Sequence, residues 1–76
     1  MLKGSRNAIL KRIQPISIHG QPSWEIVFTH EDDPTEQLNA ARVGSEAIVA
    51  ASLEAGDRIE VEYLFNQVIK VVRLPS

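Results

Sequence analysis

This chain of 76 residues has eight basic and ten acidic residues, a formal net charge of −2, and no cysteine. That length bounds it to one domain, residues 1–76, and the lack of cysteine excludes disulfides and thiolate metal ligands and favours a reducing, cytoplasmic location. No apolar run approaches the roughly eighteen residues that a membrane-spanning helix needs, and the amino terminus lacks the uninterrupted apolar segment of a signal peptide, so we expect no membrane association and no export.

The first predicted strand covers residues 8–18. Its apolar residues recur without a helical period, and Pro15, which cannot donate to a ladder, predicts a bend, a bulge or an edge position. Through Trp24 the chain has four basic and no acidic residues, whereas the remainder has four basic and ten acidic residues. This asymmetry makes the first strand the basic region of the chain, with Lys11 and Arg12 at its centre.

A second strand is predicted at 24–29, where apolar and more polar residues alternate after a turn rich in glycine and proline. Its aromatic residues, Trp24 and Phe28, lie on the face that a small core requires, so we expect them in the core and not stacked on bases. The charged, proline-containing stretch 31–36 predicts an exposed loop, and 38–43 predicts a third strand.

The segment 45–55 has two interpretations. As a helix, it has Ser45 as N-cap, the acidic Glu46 in its first turn and Gly56 just after its end. As a strand, the apolar run 47–50 is followed by a turn that leads into the next strand. We expect a short helix, and the strand remains the alternative.

The last third of the chain predicts a β-hairpin whose register follows from cross-strand chemistry. A turn at Asn66 and Gln67 sets Val61 opposite Val72, with both side chains in the core. A slip by one residue would move carboxylates to the buried face, which disfavours other registers. The further pairs expected in this register are Phe65 with Val68, Leu64 with Ile69, Tyr63 with Lys70, Glu60 with Arg73 and Ile59 with Leu74.

The same register predicts an apolar cluster on the outer side of the hairpin. Leu64, Ile69 and Val71 lie together on the face away from the core, where a solvated strand would be polar. We therefore expect these three residues to bind a protein partner or a second copy of the chain, unless the segment 45–55 covers them.

The predicted order of strand, strand, strand, helix, strand, strand resembles the oligonucleotide/oligosaccharide-binding (OB) fold. The strand that begins with the pattern Gly56-Asp57-x-Ile59-x-Val61 adds to this resemblance. The resemblance implies a mainly β fold, a small five-stranded OB-like barrel with one short helix between strands 3 and 4. If 47–50 is a strand, an SH3-like barrel is the alternative.

These features favour a non-enzymatic binding or assembly module without a cofactor. The OB-like topology makes single-stranded nucleic acid an alternative ligand, held weakly by Lys11, Arg12 and Arg42, because eight basic residues leave few phosphate contacts. A remote alternative is a metal-binding or catalytic role for His30 and the acidic loop 31–36. No spacing ties a histidine to a serine and an acid, and the loop lacks the alternating acids and glycine of a calcium site, so we expect neither a catalytic site nor a bound metal.

Overall fold

The computed structural model of the protein describes residues 3–49 and 53–75 and confirms the predicted mainly β fold. Five strands form an antiparallel sheet, and a two-residue strand adds to one end of it in parallel. The strands are β1 (Lys3–Ile18), β2 (Gln21–His30), β3 (Asn39–Gly44), β4 (Ile48–Val49), β5 (Arg58–Leu64) and β6 (Gln67–Arg73). Their order across the sheet is β3-β2-β1-β5-β6-β4.

The long strand β1 joins the two halves of the sheet. Its second half pairs with β2 and its first half with β5, and Ala8 and Ile9 pair on both sides. A bulge at Lys11 bends β1, because the extra residue interrupts the ladder and increases the local twist. The bend expected at Pro15 thus lies earlier in the strand. Pro15 itself pairs with Trp24, in the part of β1 that borders β2 alone, where a missing N–H is tolerated.

The core lies between the two halves of the folded sheet. Buried apolar side chains from β1, β2, β5 and β6 meet there, and Phe28 is the large aromatic residue at its centre. The cluster consists of Ala8, Leu10, Ile26, Phe28, Ile59, Val61 and Val71. Trp24, which the sequence also assigns to the core, is only partly buried. Since each buried large aliphatic or aromatic side chain contributes about 1.5–3 kcal/mol, this cluster supplies much of the driving force for folding.

The register predicted for the β5–β6 hairpin is wrong, by two residues beside the turn and by one residue beyond the bulge at Ile69. The turn falls at Phe65 and Asn66, which have φ values of 51° and 67°, and Leu64 pairs with Gln67 across it. Positive φ at both central residues is the geometry of a type I′ turn, whose twist matches that of the flanking strands. The geometry of the turn therefore decides the pairing beside the turn, over the matching of side chains.

The bulge at Ile69 exchanges the two faces of β6, because the shifted turn alone moves each partner by two residues and keeps its direction, whereas the extra residue leaves an offset of one. Val71 pairs with Val61 and is fully buried, whereas Val72 pairs with Glu60 and is partly exposed. Val71 thus takes the core position predicted for Val72, because side chains alternate along a strand and a slip by one residue reverses their directions.

The segment 45–55 is not an α-helix in its described residues. It begins with a 3₁₀ turn at Ser45–Ala47 that leads directly into β4, and β4 pairs in parallel with Val71 and Val72 of β6. Ile48 packs against the core there, a contact that outweighs the helix propensity of the neighbouring alanines. Residues 50–52 lie outside the described residues. In the part of the chain that is described, no helix has the length and hydrophobicity to cross a membrane.

The sheet does not close on itself within the described residues. Strands β3 and β6 come near each other, but they form no ladder. A closed barrel is therefore not confirmed, and the fold is an open five-stranded antiparallel sheet that wraps its own core. A cleft remains between the two strands that a barrel would join.

Candidate interaction site

The cleft between β3 and β6 has a volume of about 520 Å³. One wall is formed by residues 39–42 of β3, and the other by residues 66–68 at the turn and the start of β6. Phe28 and Tyr63 also line it, and both pack in or against the core. The base of the cleft is therefore formed by side chains that pack in or against the core, while strand edges with their backbone groups form its sides.

Four large apolar side chains are exposed among the described residues, and all of them neighbour the cleft in sequence. Leu38 (63% exposed) precedes the β3 wall, Leu64 (37%) and Phe65 (64%) precede the opposite wall, and Ile69 (39%) follows it. Single exposed apolar residues are ordinary, but three of these four lie within six residues of one hairpin, and a concentration of that kind is typical of a binding surface. We call Leu64, Phe65 and Ile69 the hairpin patch.

Two of the three predicted partner-binding residues lie in the hairpin patch. Leu64 and Ile69 are exposed as expected, but Val71 is fully buried, so its expected place on the outer face is wrong. The bulge at Ile69 is the reason, because it reverses the faces of β6 beyond the turn. Phe65, which is predicted to pair with Val68 as the last strand residue, lies in the turn instead and is exposed. Asn66 tolerates positive φ in either register, so no local signal separated the two turns.

Phe65 has an unusual backbone conformation for its residue type. Its φ of 51° lies in the left-handed region, where bulky side chains are uncommon, and type I′ turns prefer Asn, Asp or Gly. The β1–β2 turn places His19 and Gly20 at the corresponding positions, with φ values of 51° and 79°. Unfavourable backbone conformations concentrate at functional sites. The conformation of Phe65 is thus a second, independent sign that the hairpin patch is functional.

The basic residues predicted to bind nucleic acid lie on the outer face of β1, β2 and β3. Arg12 Nη2 donates to Gln14 Oε1, and Gln14 Nε2 donates to Glu25 Oε1 at 3.1 Å. Glu25 Oε2 in turn lies 3.7 Å from Arg42 Nε. Lys11 is exposed at the bulge beside Arg12. The structure thus brings Arg12 and Arg42 onto one face, but it places the Glu25 carboxylate between them, which weakens their attraction for phosphate.

His30 supports the base of the cleft through Tyr63. Its Nε2 lies 2.8 Å from the Tyr63 hydroxyl oxygen, and its ring meets Phe28 edge-on with 5.5 Å between ring centroids. Burial, and next the charge of Arg6, lower the pKa of His30, so the imidazole is neutral at pH 7. Burial also raises the pKa of the Tyr63 hydroxyl. The arrangement is a hydrogen bond between two neutral side chains, which fixes the orientation of Tyr63.

The acidic loop 31–36 is held by its own hydrogen bonds. Asp33 Oδ1 accepts from the backbone N–H of Thr35 at 2.9 Å and from its hydroxyl at 2.7 Å, which lowers the pKa of Asp33. Asp32 pairs with Arg6 at 2.7 Å. Across residues 3–49 and 53–75, no three His, Asp or Glu side chains converge to hold a metal ion. The geometry therefore adds no support to a metal-binding role for His30 and this loop.

Comparisons of the chain with models of known protein families, with curated proteins and with solved structures found no match.

Proposed function

We propose that this protein is a non-enzymatic binding module that holds a protein partner, or a second copy of itself, at the hairpin patch. The observation that carries this proposal is the position of the four exposed large apolar side chains, all next to residues that line the cleft. Removing apolar surface from water contributes roughly 25 cal/mol per Å². A large aromatic residue such as Phe65 is also a common centre of binding energy in protein interfaces.

Charged residues beside the patch suit the rim of such an interface. Lys70 Nζ lies 3.7 Å from Glu62 Oε2 across the hairpin. Lys70 follows Ile69 directly, and Glu62 lies two positions before Leu64 on the same strand, so this pair borders the apolar residues. Interfaces typically combine an apolar centre with a polar rim, and the hairpin offers both.

The proposal includes an OB-like arrangement of the strands and a cytoplasmic location. Support for the OB-like arrangement comes from β1, which pairs with β2 through one half and with β5 through the other, as the first strand of such a barrel must do. Support for a reducing compartment comes from the composition, which contains no cysteine.

The variants Phe65→Asn and His19→Asn test the proposal as a matched pair. Both residues hold the first position of a two-residue turn at a φ of 51°, and asparagine suits that conformation, so both variants should fold. Phe65→Asn should weaken self-association or partner binding at least tenfold, about 1.4 kcal/mol, while His19→Asn should bind like the wild type.

Two measurements decide the outcome of this pair. Sedimentation velocity over a wide concentration range reports self-association, and calorimetric titration with a purified partner, first captured on the wild-type chain, reports heterologous binding. Equal affinities for the wild type and Phe65→Asn contradict the proposal. A wild-type chain that stays monomeric and captures no protein also contradicts it.

A second candidate function is weak binding of single-stranded nucleic acid, which is favoured by the common face of Arg12 and Arg42. Each phosphate contact to a single strand changes the slope of log affinity against log salt by about 0.7, so the Lys11→Ala, Arg12→Ala double variant should reduce the slope by about 1.4. Glu25→Gln should strengthen binding of an oligothymidine. If fluorescence anisotropy shows no salt-dependent binding of oligothymidine, this candidate is rejected.

A further inference from the structure

The β3 wall of the cleft is a strand edge with unused hydrogen-bonding groups. Residues 39–44 pair with β2, and within the described residues the opposite edge of β3 has no backbone partner. In an antiparallel strand, alternate residues direct their N–H and C=O groups away from the paired neighbour. The free edge of β3 therefore presents a regular row of donors and acceptors, which is a template for a further strand.

This edge has few of the features by which sheets commonly prevent strand addition, and its one charged residue is Arg42. Proline, lysine and bulges are typical protections, but β3 contains neither of these residue types, and its register with β2 is continuous from Gly44 to Asn39. The cleft-lining residues of β3 include Ala40 and Ala41, whose small side chains allow another backbone to approach. The other end of the sheet differs, because β4 pairs with part of β6 there.

We infer that the cleft binds an extended peptide segment of a protein partner, which adds to β3 as a further strand. This inference rests on the proposed function and specifies the form that the partner takes at the site. Main-chain hydrogen bonds to β3 hold such a segment, and its alternate side chains pack on Tyr63 and Val68, which line the cleft and are partly exposed.

The charge of the cleft indicates the chemistry of the segment. Arg42 is the one charged residue among the described residues that line the cleft, and its side chain, on the outer face of β3 beside Glu25, is 68% exposed. A residue of an added strand that pairs with Arg42 directs its side chain to that same face. The 3.7 Å separation of Arg42 from Glu25 is long, so the guanidinium can accommodate a second carboxylate. We therefore expect an acidic residue in the segment opposite Arg42. The segment needs about six residues, since β3 spans roughly 20 Å at about 3.3 Å per residue.

The exposed apolar area favours a short segment over a second copy of the chain. Exposed apolar patches on monomers cover roughly a few hundred Å², and the four exposed side chains around the cleft are of that order. A stable dimer commonly buries about 800 Å² on each subunit. A peptide that adds one strand requires less apolar contact, because backbone hydrogen bonds contribute to its affinity.

Adjacent proline variants of β3 test the strand addition. Because backbone directions alternate, one of Ala40 and Ala41 directs its N–H towards β2 and the other towards the free edge. Proline at the residue whose N–H faces β2 removes a ladder hydrogen bond and lowers stability. Proline at the residue whose N–H faces the free edge removes only a donor of that edge. Urea unfolding of Ala40→Pro and Ala41→Pro identifies the variant that keeps its stability, and that variant is the one to test for binding.

The probe consists of peptides selected on the full chain from a random twelve-residue display library. The selected peptides should alternate in apolar character and carry an acidic residue, and they should shift the amide signals of 39–42 and 66–68 in NMR spectra. The stable proline variant, and N-methylation of alternate peptide residues, should each weaken binding at least tenfold. Arg42→Gln should remove the preference for peptides with the acidic residue over peptides with glutamine in its place.

Several outcomes overturn strand addition while leaving the proposed function intact. A library without binders, or peptides that bind the stable proline variant as tightly as the wild type, rejects it. If the chain dimerises without peptide and the stable proline variant does not, the edge binds a second copy of the chain. If oligothymidine shifts the same amide signals, the edge binds nucleic acid. The proposed function fails separately, when Phe65→Asn leaves partner binding and self-association unchanged.

Discussion

The two hairpins of this protein use the same turn geometry with different residues. The β1–β2 turn has His19 and Gly20 at positive φ, and both residue types are found in that conformation. The β5–β6 turn places Phe65 at the same φ as His19 and leaves its large side chain exposed. The first turn is explained by local backbone preference. The second departs from that preference beside the cleft, so local backbone preference does not explain its sequence.

The ladders next to the two turns also differ in regularity. The β1–β2 ladder is regular from the pair of Ile18 and Gln21 to the distant bulge at Lys11, whereas β6 has its bulge close to the turn, at Ile69. Bulges redirect side chains, and Ile69 is exposed in the hairpin patch. The β5–β6 hairpin therefore combines an unfavourable turn and a local irregularity at one surface, and the following predictions test this contrast.

The largest expected effect is a difference in stability between variants on the two faces of β6. Val71→Lys should unfold the protein, because an unpaired ammonium at a fully buried position costs several kcal/mol, against a typical total stability of about 5–15 kcal/mol. Val72→Lys should change stability by no more than about 0.5 kcal/mol, since Val72 is partly exposed opposite Glu60. Urea unfolding followed by circular dichroism measures both variants. The reverse outcome would place Val72 in the core and restore the register expected from side-chain matching.

The next effect compares the stabilities of the two turns. Phe65→Asn should raise the free energy of unfolding by about 1 kcal/mol, because asparagine adopts left-handed backbone conformations more readily than phenylalanine. His19→Asn should leave it nearly unchanged, since histidine is already among the residues enriched in this region. Urea midpoints of the two variants measure the difference. A Phe65→Asn variant less stable than the wild type would show that the Phe65 side chain supports the hairpin itself.

A smaller effect concerns ion pairs on bulged and regular ladders. Lys70–Glu62 lies beside the bulge of β6, and Arg42–Glu25 lies on the continuous β2–β3 ladder, each with 3.7 Å between nitrogen and oxygen. Double-mutant cycles with alanine should give coupling energies of about 0.2–1 kcal/mol for both pairs, and salt should reduce them. A coupling confined to the β2–β3 pair would show that the β5–β6 hairpin is held less firmly near its turn.

The smallest effect is a dependence of stability on pH at His30. Its pKa in the folded protein lies below the ordinary value of 6.5, because of burial and then Arg6, while the carboxylates Asp32 and Asp33 oppose this shift. The unfolded chain therefore takes up the proton first. The stabilisation is complete above pH 6.5 and is lost as the pH falls through the folded-state pKa.

Thermal midpoints across this pH range test the effect. His30→Gln should flatten the profile, whereas His19→Gln, a substitution in the exposed β1–β2 turn, should keep the wild-type slope. An unaltered profile in His30→Gln would exclude His30 as the source of the pH dependence.

The sequence predicts the candidate site only in part. The predicted register places Leu64 and Ile69 at the surface, and both are exposed although that register is wrong. The sequence misplaces Val71, because its direction depends on the bulge at Ile69, and it misses Phe65, because the exposure of Phe65 depends on where the two-residue turn falls. Asn66 fits either turn, and both registers set apolar residues opposite each other, so the local chemistry left the choice open.

The sequence by itself determined the mainly β fold, the second strand and the turn before it. Alternation at 24–29 and the glycine of the β1–β2 turn are local signals, and strands and turns of this kind follow from a few neighbouring residues. Only the tertiary structure decided the state of 45–49 and the position of Val71 against the core, because both depend on β4 and β6 meeting the buried face of distant strands. The cleft exists because the bent sheet leaves β3 and β6 too far apart to form a ladder. Their separation results from the twist and the bulges along the whole sheet, and no local pattern of residues encodes it.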